Sequence, residues 1–137
     1  MIRVEHIKAD FVELIPSTLQ TGILYVSRKY QTATHLCCCG CGSKVVTPLK
    51  PGGWKLTTKR GTVTLFPSIG SWSLPCKSHY WIRENSIDWA PQWSPKQIDQ
   101  GRISDRLARE DYFDGLHRAK ENFWQKLLKR ILNAISR

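Results

Sequence analysis

The chain reads as a mainly β protein: a small, zinc-stabilised antiparallel β-domain followed by a C-terminal amphipathic helix. Three observations predict this. The first ninety residues consist of short β-branched or aromatic runs separated by turn-forming residues. Four of the five cysteines crowd into five positions, Cys37 to Cys41. The last segment carries apolar residues at helical spacing.

The strand candidates follow in chain order as "FVELIP" (Phe11 to Pro16), "GILYVS" (Gly22 to Ser27), "KVVTPL" (Lys44 to Leu49), "WKLT" (Trp54 to Thr57) and "TVTLFPS" (Thr62 to Ser68). Two more, Ser78 to Arg83 and Ser86 to Ala90, flank a Glu84-Asn85 turn. "PGG" (Pro51 to Gly53) and "KRG" (Lys59 to Gly61) read as hairpin turns. After Pro91 the composition changes: "PQWSPKQIDQG" (91–101), with two prolines and a glycine, reads as a linker, placed at 93–103. Ser104-Asp105 has the character of a helix N-cap. Phe123, Trp124, Leu127, Leu128, Ile131, Leu132 and Ile135 then define the apolar face of a helix with a basic opposite face. The expected organisation is a zinc-containing β-domain at 1–92, the linker, and a helical extension at 104–137.

With 137 residues and 41% hydrophobic composition, the chain has enough apolar content for a single modest core. No apolar run approaches the roughly 18 residues of a membrane span, and the N-terminus lacks a secretory signal. A cytoplasmic protein is therefore expected. In a reducing compartment, an odd and clustered set of cysteines points to metal rather than disulfides. The net charge of +10 is spread evenly: residues 1–100 hold 12 basic and 6 acidic side chains, and residues 101–137 hold 9 and 5. A spread of this kind disfavours nucleic acid, which calls for a dense basic stripe.

In an extended segment, alternate residues share a face, so His35, Cys37, Cys39 and Cys41 can converge, with Gly40 and Gly42 loosening the backbone. Cys76 is the candidate that completes a four-thiolate set suited to Zn2+, a closed and structural site rather than a catalytic one. His35 replacing one cysteine is the alternative. Cys38 is left to pack as a small apolar residue.

If the ligands are all cysteines, His35 and His79 remain beside the site, with Ser78 and Ser68 as candidate nucleophiles. A serine nucleophile needs a histidine within hydrogen-bond reach. Ser78 and His79 are neighbours and would face opposite sides of a strand. The candidate couples are therefore Ser68 with His79, or Ser78 with His35. Glu84 and Asp88 lie near enough in sequence to orient a histidine.

Two segments together, "THLCCCGCGSKVVTPL…GWKLT" and "TVTLFPSIGSWSLPCKSHYWI", resemble a small bacterial domain family. Its members accompany ubiquitin-like conjugation operons linked with phage defence. The likeness covers roughly residues 20–90 and rests on H-x-C-x-C-G-C-G, P-S-I-G and C-x-S-H-Y-W-I. It departs at Ser71, where the family pattern has Asn. The resemblance implies a zinc-containing, serine-type peptidase acting on a ubiquitin-like protein or its precursor, with the conjugation enzymes as further partners. The zinc would be held by Cys37, Cys39, Cys41 and Cys76. The catalytic group would be drawn from Ser68, His79, His35 and Ser78, with backbone N–H groups near Ile69 and Gly70 as oxyanion donors. Trp72, Tyr80 and Trp81 would line a groove for a glycine-ended tail. The alternatives are a non-catalytic zinc-stabilised adaptor of the same system, and a basic zinc module that binds nucleic acid.

Overall fold

In the computed structural model, residues 2–136 are described. Eight strands precede one helix: β1 (Lys8–Phe11), β2 (Ile23–Ser27), β3 (Thr32–Leu36), β4 (Lys44–Pro48), β5 (Lys55–Lys59), β6 (Thr62–Gly70), β7 (His79–Arg83), β8 (Ser86–Trp89) and α1 (Pro95–Ile135). They form two four-stranded sheets, ordered β1-β2-β3-β4 and β5-β6-β7-β8. All pairs are antiparallel except β1 with β2.

One apolar core joins the two sheets. Leu24, Val26 and Ala33 come from the first, and Val63, Leu65, Ile69, Tyr80, Ile82 and Ile87 from the second. The period-two pattern of β7 decides what faces where. Tyr80 and Ile82 are fully buried in this core, so His79 and Trp81 lie on the opposite face of the sheet. Glu84 and Asn85 both have positive φ, 46° and 68°, the geometry of a two-residue hairpin loop. Asn85 fixes that loop: its Oδ1 accepts from the Val63 N–H at 2.8 Å.

The first strand ends at Phe11, where the sequence suggests that one begins. Parallel pairing with β2 uses Lys8 to Phe11, and the apolar run beyond is partly spent on the surface, with Leu14 72% exposed. β3 is an addition; its Thr-Ala-Thr-His-Leu alternation is too mixed in polarity to stand out. "PGG" does not close a hairpin, because β4 and β5 belong to different sheets. It turns a corner between them. "KRG" does close one, between β5 and β6.

The helix starts at Pro95, so the segment expected as a linker is helical from that point. Ser94-Pro95-Lys96-Gln97 explains this in retrospect. It has the S-x-x-Q order of a capping box, with proline at the first helical position, where its missing N–H costs nothing. Residues 2–94 and 95–136 fall into separate compact units. Among the helix residues, Phe123, Trp124, Leu128, Ile131, Leu132 and Ile135 are exposed, and no helix is long and apolar enough to cross a membrane.

Candidate active site and metal centre

Chemistry-bearing side chains gather in two places, a thiol cluster that includes Cys76 of the β6–β7 connection and a serine–histidine contact between β6 and β7. The first is sulfur. The Sγ atoms of Cys37, Cys39, Cys41 and Cys76 all lie within 4.8 Å of one another. Cys37 and Cys39 are 3.5 Å apart, and Cys37 and Cys76 are 3.9 Å apart. A tetrahedral ion with metal–sulfur bonds of about 2.3 Å would set its ligands roughly 3.8 Å apart. The four thiols therefore fit a metal ion.

Alternation along an extended strand is not what makes these sulfurs converge. β3 stops at Leu36, and Cys38 to Cys41 form a turn in which Gly40 and Gly42 take positive φ of 88° and 79°. Glycine takes such values without steric cost. The turn brings three thiols to one point, and Cys76 arrives from the β6–β7 connection in the other sheet. Ser78 hydrogen-bonds the Cys37 sulfur, while burial drives that thiol upward in pKa. The hydroxyl and backbone N–H of Ser43 pull Cys41 down to about 6. Cys38 stands apart: it is buried in the core, and burial raises its thiol to about 11.

His35 is not among the sulfur ligands. It is fully buried, and its Nε2 lies 2.8 Å from the Tyr80 hydroxyl. The same hydroxyl accepts from the Cys38 N–H at 3.4 Å. Burial lowers the His35 pKa to about 4, so the ring is neutral at physiological pH.

The second place is on the outer face of β7. His79 Nε2 lies 2.9 Å from Ser68 Oγ. Of the two couples considered from sequence, the structure brings this one together. The other two residues are engaged elsewhere, Ser78 with Cys37 and His35 with Tyr80. Ser68 owes its position to an irregularity. Leu65 pairs with Ile82 and Ile69 with Tyr80, so four steps along β6 match only two along β7. The surplus forms a bulge containing Phe66, Pro67 and Ser68. Bulges re-aim side chains in this way beside active sites. Ser68 stays partly exposed, and its carbonyl accepts from Trp54 Nε1 at 3.3 Å.

No carboxylate orients His79. Its Nδ1 is buried and, among the described residues, lacks a hydrogen-bond partner. Asp88 pairs with Arg83 at 3.1 Å and Glu84 with Lys59 at 3.9 Å. Indoles hold the ring instead. Trp72, Trp93 and Trp81 place their centroids 5.0, 4.7 and 5.3 Å from it, and Trp72 stacks on Trp93. This burial lowers the His79 pKa below the ordinary 6.5. Tyr80, expected in the groove, is a core residue. Trp93 is a site residue the sequence did not single out; only its aromatic character, in a proline-flanked stretch, hinted at it.

Gly70 stands opposite His79 in the strand register. A Cβ there would overlap the Trp72 indole. Gly70→Ala is therefore expected to push Trp72 off His79 while stability changes by less than about 1 kcal/mol. Ring resonances of His79 and thermal melts of the variant check this.

The family model described as "bacterial ubiquitination-like system serine protease (BubE)" matches residues 11–90. That is more than half of the chain, and the protein belongs to this family. Comparison with curated proteins and with solved structures found no match.

Proposed function

We propose that the protein is a serine peptidase that processes or removes the ubiquitin-like protein of its system, using a Ser68–His79 dyad beside a structural zinc. The 2.9 Å contact between Ser68 Oγ and His79 Nε2, at a bulge on the outer sheet face, carries this reading. His79, neutral because its pKa is lowered, takes the Ser68 proton as Oγ attacks the scissile carbonyl carbon. It then returns that proton to the departing amine. A water, deprotonated by the same nitrogen, releases the acyl group from Ser68.

Three indoles replace the third member of a triad. They fix the ring by packing around it. For the oxyanion, Gly70 is the favoured donor. The Ser71 N–H bonds the Ser78 carbonyl, so antiparallel alternation directs the Gly70 N–H away from β7. Pairing with β5 has ended by then, at Phe66. The same alternation engages the Ile69 N–H with β7.

Zinc suits four thiolates, and bound there it supplies a cross-link between the two sheets. A closed four-sulfur set leaves no position for substrate. Cys76 lies three residues before His79, so the cross-link also anchors the strand that carries the base.

Incubation with the precursor of the ubiquitin-like protein tests the reading. The wild type is expected to cleave, and Ser68→Ala and His79→Ala to be inactive. Normal cleavage by both variants would refute the dyad, and a stable complex never cleaved would mark an adaptor instead. The pH profile is a further check. The base works deprotonated, so kcat/KM is expected to stay level through neutrality and fall only below 6.5, where His79 protonates. An acid limb centred at or above 6.5 would contradict the environment described for His79.

A further inference from the structure

A cleft of about 550 Å³ opens beside Ser68, a volume within the range of ligand sites. Its apolar surface comes from Leu49, Trp54 and Phe66, the last 68% exposed. Its charged lining is Arg28, Lys50 and Lys55, with no carboxylate among the lining residues. Ser68 does not itself line the cleft, but two links join its backbone to the lining. Pro67 lines it and directly precedes Ser68, and Trp54 donates its indole N–H to the Ser68 carbonyl. A second cleft, lined by Phe11, Val26 and Val63, shares Arg28 but also holds a carboxylate, Glu13, which pairs with its Lys29.

Three cations that form no ion pair among the described residues, beside exposed Phe66 and half-buried Trp54, select a complementary ligand. We propose that this cleft is a substrate subsite that takes an acidic peptide segment, apolar side chains seated on Trp54 and Phe66, on one flank of the scissile bond. The proposal deepens the peptidase reading, since it makes the cleft the source of substrate choice for Ser68. Lys50 and Lys55 are exposed, so changing them tests recognition without disturbing the core.

The test uses the full chain carrying Ser68→Ala and labelled peptides Glu-Leu-Glu-Leu-Gly-Gly and Lys-Leu-Lys-Leu-Gly-Gly, with binding read by fluorescence anisotropy. The acidic peptide is expected to bind at least 10-fold more tightly, and more weakly as salt rises. Adding Lys50→Glu and Lys55→Glu should lower its affinity at least 10-fold and reverse the preference. Trp54 indole N–H resonances should shift with the acidic peptide. Equal affinities, no binding, or an affinity untouched by the charge reversals would overturn the proposal. So would tighter binding of oligothymidylate than of the acidic peptide, since exposed aromatics among cations also suit nucleic acid. Binding here does not depend on cleavage, so a failure of the dyad would show separately, as activity remaining in Ser68→Ala.

Discussion

Replacing Ser68 by alanine is expected to lower kcat/KM by about 10⁴-fold or more while leaving the fold intact. Removing the nucleophile of a serine hydrolase removes the covalent route altogether, and only binding and oxyanion stabilisation remain. Ser68 lies in the bulge of β6 on the outer face, away from the shared core, so losing its hydroxyl leaves no cavity. His79→Ala is expected to cost a similar factor, and the double variant little more than either single one, because the two act as a unit. Cleavage rates and thermal melts of the three variants check this. Near-additive losses would mean that the two residues act independently.

The second large effect concerns the zinc proposed for the four thiols. Stripping it with a chelator, or changing Cys76→Ser, is expected to unfold the β-domain or leave it only partly ordered. A structural zinc site contributes on the order of 10 kcal/mol, comparable with the 5–15 kcal/mol of stability of an ordinary domain. The thiols bring the turn after β3, in one sheet, to the connection before β7, in the other, so a metal held by them would join the two. Losing the link frees both sheets and the strand carrying His79. Elemental analysis is expected to find one zinc per chain. Circular dichroism before and after chelation should show loss of β structure, with activity lost in parallel. An unchanged spectrum and melting temperature after complete metal removal would contradict a structural role.

How much of this was legible in the sequence depended on the kind of signal. The four thiols can be picked out because soft ligands cluster and alternation sets Cys38 on the other face, and the two glycines signal that the backbone can curl. A turn with two left-handed glycines, not strand alternation, gathers them. Strand parity was informative at β7. Neighbours Ser78 and His79 must face opposite ways, and they do, one toward the Cys37 sulfur and the other toward Ser68. His35 was harder to place, because spacing shows that a histidine is near a metal but not that a buried tyrosine hydroxyl will claim it.

What remained hidden is long-range. The bulge that aims Ser68 exists only in the register of β6 against β7. The parallel pairing of β1 is set by which strand edge is available, not by its own residues. Trp93 reaches His79 from a segment with no strand or helix pattern. The start of the helix was readable in Ser94-Pro95-Lys96-Gln97, but the prolines and glycine around it drew attention to chain breaking rather than helix initiation.

The central claim is that Ser68, activated by His79, is the nucleophile. Its most direct measurement is mass spectrometry of the zinc-loaded protein after reaction with a fluorophosphonate, which modifies activated serine hydroxyls. The dyad predicts one adduct, mapped to Ser68 and absent when His79→Ala is treated in the same way. An adduct on a different residue, or labelling of Ser68 that persists without His79, would contradict it.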